Sequence, residues 1–241
     1  MFILPINRDS DARNTPRAVL ALIAINSVVF VATLVSGSPI AVVRHYGFTP
    51  AHAQVLTLFT SMFLHAGWLH LIGNMWFLWM FGKDVENAMG SWLFTLMYLL
   101  CGLGGALLHF AFNFRSVVPC VGASGAISGI MGCFFVLFPK ADFDLAIYIG
   151  WFRIKTIQTH TTAAVGTWLA EQAILGLLSQ AIRISSIAFW GHVGGFAVGI
   201  AAGVAFKKIV PLDADGIPVM RPWFIPEETY KESDEITQLK L

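Results

Sequence analysis

A serine hydroxyl, two imidazoles and a carboxamide are the side chains of this sequence whose types and spacing could do chemistry together. Ser124 lies in P-C-V-G-A-S-G-A-I-S-G-I-M-G (Pro119 to Gly132), at the start of an apolar run and among small residues. His192 opens H-V-G-G-F-A-V-G, and His70 and Asn74 stand four residues apart in H-L-I-G-N. A serine hydroxyl becomes an effective nucleophile only with a base within hydrogen-bond reach. Imidazole and carboxamide groups both donate hydrogen bonds, and a spacing of four puts His70 and Asn74 on one helix face. Metal chemistry is not indicated. His65, five residues before His70, would fall about 140° away on a continuous helix, H-E-x-x-H is absent, and Cys101, Cys120 and Cys133 fit no paired metal motif. No metal and no cofactor are expected.

The elements that must position these residues are membrane helices. Hydrophobic residues make up 56% of the chain and charged ones only 12%, with 20 Phe and 8 Trp, which does not describe a soluble domain. The formal net charge of +1 gives no footing for a nucleic-acid partner. Hydropathy predicts six spans, at residues 18–35, 69–86, 92–112, 122–138, 161–181 and 187–206. The expected fold is therefore an all-α polytopic membrane protein, a six-helix bundle in the lipid bilayer. Residues 1–17 form a polar N-terminal segment, 18–206 the membrane domain and 207–241 a Pro-containing, charged tail without a core of its own. No A-x-A cleavage site follows the first span, so it is read as an uncleaved helix, and the short segment before it does not look like a transit peptide. The loop between the first two spans, Ser36 to Trp68, is amphipathic and is expected to lie in the interface.

With the N-terminus inside, twelve Lys and Arg fall on the inner side and only Arg44, Arg115 and Arg183 on the outer, which predicts both termini in the cytoplasm. In that orientation His70, Asn74, Ser124 and His192 come from three helices that all start outside. His192, about five residues into its helix, would lie roughly 8 Å below the interface. Polar groups at membrane depth are costly and face a cavity or the bundle interior. Gly195, Gly199 and Gly203 on the sixth span, and Ser124, Ser128 and Gly132 on the fourth, repeat small residues at a period that lets membrane helices approach closely. Close contact of those two helices would bring His192 against Ser124.

Four stretches in order, H-A-G-W-L-H-L-I-G-N-M (65 to 75), F-G-K-D-V-E-N-A-M-G (81 to 90), G-A-S-G-A-I-S-G (122 to 129) and H-V-G-G-F-A-V-G (192 to 199), make the chain resemble the rhomboid intramembrane serine proteases from about Thr60 to Gly203. The resemblance implies a rhomboid-type six-helix bundle in which Ser124 is the nucleophile and His192 the general base. His70 and Asn74, with the Ser124 backbone N–H, bind the tetrahedral oxyanion, and Gly122 belongs to the loop before the serine. It implies transmembrane protein substrates, cut near the outer end of a segment that must first unwind. No carboxylate is placed to complete a triad, so a Ser/His dyad is expected.

Two departures from the family pattern matter. Where members often carry a tyrosine four residues after the serine, packed on the imidazole, this chain has Ser128, which is expected to hydrogen-bond or pack against His192. Where many carry Trp-Arg in the first loop, this chain has Leu56-Thr57. Glu86 is expected to cap or tie the inner end of the second span. Glu171, in the fifth, is expected to be protonated or paired inside the bundle, and Gln172 and His109 to be structural. The expected location is the plasma membrane, a bacterial inner membrane if the source is bacterial. A non-catalytic rhomboid-like protein that binds or escorts transmembrane clients is the alternative function. A transporter is disfavoured, because the polar cluster is off-centre and no repeat is visible.

Overall fold

Eight α-helices follow in order in the computed structural model, which describes residues 2–7, 15–149, 152–182 and 188–210. They are α1 (Arg17–Val35), α2 (Pro39–Tyr46), α3 (Val55–Thr60), α4 (Trp68–Met89), α5 (Ser91–Asn113), α6 (Ser124–Leu137), α7 (Thr161–Ile182) and α8 (Phe189–Ile209). Arg183 and nearly all of the expected tail lie outside the described residues. Among the described residues, α1, α5 and α8 are each long and apolar enough to cross a bilayer. Val55–Phe63 and Trp68–Met89 form a further candidate as a pair bent by 89°. Length and composition thus support three crossings, or four with the bent pair, beside the six expected from hydropathy. Helix α7 has the length, at 22 residues, but carries Glu171, Gln172 and Gln180 among its apolar residues. Helix α6 has only 14 residues, about 21 Å at 1.5 Å per residue against a hydrocarbon core of about 30 Å.

The shortness of α6 follows from the chain before it. Pro119 lies in an irregular segment that ends at Gly122, whose φ of 129° disfavours side chains. Non-helical backbone at this depth needs its polar groups satisfied by protein, and the first loop supplies the partners. Phe48 and Cys120 exchange backbone hydrogen bonds of 3.0 and 2.8 Å, and the Gly122 N–H donates to the Ser61 carbonyl at 2.9 Å. The loop read as amphipathic contains α2, α3 and two short 3₁₀ turns, and it braces the entry to α6.

Helices α6 and α8 meet backbone to backbone. A Cβ added at Gly195 would overlap the Gly125 carbonyl oxygen, one at Gly199 the Gly129 carbonyl, and one at Gly132 the Phe196 carbonyl. The small face of α6 that meets α8 is therefore Gly125, Gly129 and Gly132. Ser124 and Ser128, grouped with Gly132 in the sequence reading, sit beside this line.

A three-stranded antiparallel sheet in the order β1-β2-β3 accompanies the helical bundle and was not expected. It comprises β1 (Phe2–Asn7), β2 (Asp142–Ile149) and β3 (Phe152–His160). D-F-D-L-A-I-Y-I and F-R-I-K-T-I-Q-T-H are rich in β-branched and aromatic residues, a strand signal that a search for helix-length apolar windows passes over. Phe143 of β2 is buried, with its ring 5.4 Å from that of Phe81 and 5.8 Å from that of Phe134. The sheet thus closes the end of the bundle opposite Ser124. The Thr161 N–H donates to the Ala141 carbonyl at 2.9 Å, where β3 hands over to α7.

Glu86 ties two helices at that same end. Its carboxylate accepts the Ala18 and Val19 N–H groups, both at 2.8 Å, and the Ser91 hydroxyl. Pro16, the N-cap of α1, offers no side-chain acceptor, so Glu86 caps α1 from α4. Glu86→Ala leaves two N–H groups unpaired, at about 1–3 kcal/mol each when buried. It should lower the thermal unfolding midpoint in detergent by about 5 °C or more, with Glu86→Gln losing less. Gly199→Val should abolish the folded yield by forcing α8 off α6. Gly73→Ala on α4, where a Cβ meets nothing within 4 Å, should leave both yield and midpoint unchanged; size-exclusion profiles and melting curves check the contrast.

Candidate functional site

Ser124 is the first residue of α6 and His192 the fourth of α8. The glycine contact between these helices brings the Ser124 Oγ and His192 Nε2 to 2.8 Å. On the other side of the ring, His192 Nδ1 lies 2.7 Å from the Oε1 of Gln172, on α7. An amide oxygen only accepts, so Nδ1 carries the proton and the Nε2 lone pair faces the serine hydroxyl. Trp168, four residues before Gln172 and on the same face of α7, packs its ring 6.0 Å from the imidazole, tilted by 33°.

Ser128 does not hydrogen-bond His192. Both ring nitrogens are taken, and the Ser128 hydroxyl instead donates to the Ser124 carbonyl at 2.6 Å, a back-bond to its own helix that leaves Ser128 buried. The partner that the sequence reading missed is Gln172, which it took as structural. A buried amide requires a hydrogen-bond partner, but the 7% exposure of Gln172 is set by helix packing and is not visible in the sequence.

His70 and Asn74 lie on α4, and the His70 ring faces the serine loop. The Ala66 N–H donates to His70 Nδ1 at 3.4 Å, which leaves the ring proton on Nε2. That edge faces Gly122: a Cβ there would come to 2.8 Å from His70 Nε2 and 3.8 Å from Ser124 Oγ. The bare side of Gly122 is therefore closely covered by the His70 imidazole edge, with the serine hydroxyl beside it. The Ser124 backbone N–H, in the first turn of α6, lacks an intrahelical acceptor. Asn74 is buried and gives one amide hydrogen to the His70 carbonyl at 2.8 Å, leaving its other N–H to spare. Gly195 and Gly199 act through the helix contact alone.

A cavity of about 40 Å³, lined by Gly122, Ser124 and His192, has room for a water or two. It shares His109, Cys120 and Ala188 with a larger cleft of about 580 Å³ that adds Asn113, Arg115 and Gln180. Gln180 and His109 are bridged by Asn113, at 3.2 and 3.3 Å. On the other side of Trp168, an open cleft of about 310 Å³ runs between α4, α6, α7 and the sheet. Glu171 lines it with an exposed side chain, in contrast to the interior pairing expected. Among the described residues no group of three or more His, Cys, Asp or Glu stands close enough to hold a metal ion.

Known proteins share the site-bearing part of the chain. Rhomboid protein 1, mitochondrial, of Saccharomyces cerevisiae is 29% identical over 161 residues, 64% of this chain and 43% of that protein. Rhomboid-type serine protease 2 of Emericella nidulans is 30% identical over 159 residues, 66% of this chain and 28% of that one. Rhomboid protease GluP of Bacillus subtilis is 32% identical over 155 residues, 64% and 27% of the two chains. The matches thus span less than half the length of these relatives. The sequence model of the Rhomboid domain matches residues 52–209, which contain every residue of the constellation around Ser124 and well over half of the chain, so the chain belongs to the rhomboid family.

Proposed function

We propose that this rhomboid is an intramembrane serine endopeptidase that cleaves transmembrane segments of membrane proteins with a Ser124–His192 dyad. The 2.8 Å hydrogen bond between Ser124 Oγ and His192 Nε2 carries the reading. His192 takes the hydroxyl proton as Ser124 attacks the scissile carbonyl carbon. The resulting oxyanion is held by the Ser124 N–H, His70 Nε2–H and Asn74. Collapse of the tetrahedral intermediate expels the amine, which receives the proton from His192 and leaves an acyl-serine. A water molecule then gives its proton to His192 and attacks the ester, and a second collapse frees the carboxylate and restores Ser124.

Hydrolysis needs water, and the cavity over Ser124 is continuous in its lining with the polar cleft at that end of the bundle. A substrate helix has to unwind before its carbonyl can reach Ser124, so segments weakened by Gly or Pro near the site-bearing end are favoured. Lys83, Lys140, Lys207 and Lys208 fall at the opposite end, in or beside the ends of α4, α6 and α8. That distribution favours a cytoplasmic location for the sheet and both termini, with the site toward the outer face of a plasma membrane. The alternative, a client-binding protein without catalysis, is disfavoured by the intact serine and histidine.

The purified wild type in detergent should cleave a model transmembrane substrate and be labelled on Ser124 by a fluorophosphonate probe, and Ser124→Ala should do neither. Equal cleavage by the two proteins, or none by the wild type across several substrates, overturns the assignment. Asn74→Ala and His70→Ala should each lower kcat by about 100- to 1000-fold, the usual loss for one oxyanion donor, as read from steady-state kinetics on the same substrate.

A further inference from the structure

We propose that Gln172 is the positioning residue for His192, an uncharged third member of the Ser124–His192 relay supplied by α7; the proposal rests on the protease reading above. Three observations carry it. The Gln172 Oε1 lies 2.7 Å from His192 Nδ1, while His192 Nε2 lies 2.8 Å from Ser124 Oγ, so serine, imidazole and amide form one continuous chain across α6, α8 and α7. Gln172 is only 7% exposed, so its oxygen is a committed acceptor without competition from bulk solvent. Trp168 lies one turn earlier on the same face of α7, with its ring against the imidazole. One helix thus contacts the ring twice, through the Gln172 hydrogen bond at Nδ1 and through the tilted Trp168 ring.

The other residues that could hold the ring are placed elsewhere. Ser128 is bonded to the Ser124 carbonyl. Glu171 is next to Gln172 in sequence but about 100° round the helix, with its side chain exposed along the cleft beside α4. Gln172 does two things for the chemistry. As an acceptor at Nδ1 it selects the tautomer whose Nε2 lone pair can take the Ser124 proton. By fixing the ring rotation it keeps Nε2 pointed at Oγ. It touches neither substrate nor the reacting atoms, and it adds no charge. Because the grip comes from α7, the aim of His192 depends on where α7 stands. The face of α7 carrying Ile174, Leu177 and Leu178 is exposed, so the helix is held against the bundle from one side.

The test uses the full-length protein in detergent with the model transmembrane substrate, the fluorophosphonate probe and ¹⁵N NMR of histidine-labelled samples. Gln172→Met, which keeps the length and removes the acceptor, should lower kcat by about 10- to 100-fold, the scale of losing a partner that orients an imidazole. KM should change little, and probe labelling should slow in parallel. The His192 ring signals should change from a single Nδ1–H tautomer to a mixture. Gln172→Glu, which restores an acceptor, should recover most of kcat and the single tautomer, whereas Gln172→Asn, too short to reach, should behave like the Met variant. A merely structural role would lower the melting temperature without changing the tautomer. Wild-type kcat and labelling in a folded Gln172→Met protein, or a Glu variant no better than Met, would overturn the proposal. The NMR signature is independent of turnover. A wild type that shows the Nδ1–H tautomer yet cleaves nothing and is not labelled therefore counts against the protease reading, and a mixed tautomer in an active wild type counts against Gln172.

Discussion

The close approach of α8 to α6 is the contact on which the site depends. Gly195 and Gly199 rest on the carbonyls of Gly125 and Gly129, a separation that a single methyl group on either helix would prevent. In a bilayer, apolar side chains gain little by leaving lipid for a neighbouring helix, so van der Waals contact between backbones has to hold such a pair together. The same closeness lets a side chain as short as serine, on the first turn of one helix, reach an imidazole on the first turn of the other. A packing motif and a functional pair thus share one geometric cause. Added bulk at the glycines would cost the 2.8 Å bond before it touched either side chain.

A second constraint sets the depth. A helix as short as α6 is not long enough to cross the core by itself, and the ten residues before it, between α5 and α6, are irregular backbone. Lipid would not tolerate that segment. The first loop supplies hydrogen bonds at Phe48 and Ser61 and buries both residues, converting an unfavourable entry into a rigid one. This explains why a loop that lacks the family's Trp-Arg pair still serves: its structural contribution here is made through backbone groups, which side-chain identity constrains only weakly. Glu86 does comparable work at the far end, where its carboxylate supplies the start of α1 with the acceptors its own sequence lacks.

The parts of this arrangement that were legible in the sequence are those whose signal is local. Asn74 follows His70 by one turn, the glycines of α8 recur every four residues, and Ser124 sits in a short motif, so each could be placed by period and spacing. Gln172 could not, because its meaning depends on a partner 20 residues away, reached through helix packing. Of the two expectations for Ser128, the hydrogen bond to His192 gives way to one with the carbonyl of its own helix, because a position one turn after Ser124 has two ways to satisfy its hydroxyl. The glycine face of α6 was displaced for a related reason: a run as rich in small residues as G-A-S-G-A-I-S-G contains more than one small stripe, and only the partner helix selects between them. The sheet escaped because Phe2–Asn7 and the hairpin at 142–160 are distant in sequence and each is too short to stand out by hydropathy.

An amide rather than a carboxylate behind the imidazole suits this setting. In the proposed protease, a carboxylate buried beside His192 would be stabilised by the imidazolium formed during the reaction but would lack that counter-charge before it forms. Desolvation of such a charge costs several kcal/mol even after relaxation, and a bilayer supplies little polar surrounding to offset it. Gln172 forgoes that transition-state attraction and keeps the two services that cost no charge, the tautomer and the orientation. On the proposed mechanism, the remaining electrostatic work would fall on the oxyanion donors proposed above: the Ser124 N–H, His70, whose Nδ1 accepts the Ala66 N–H, and Asn74. Charge that develops on the substrate in that mechanism would be met by preorganised dipoles on α4 and α6, and α7 would carry none of it. The contacts of α7 with His192 are one hydrogen bond from Gln172 and one ring contact from Trp168, while Gln180 near its far end binds Asn113.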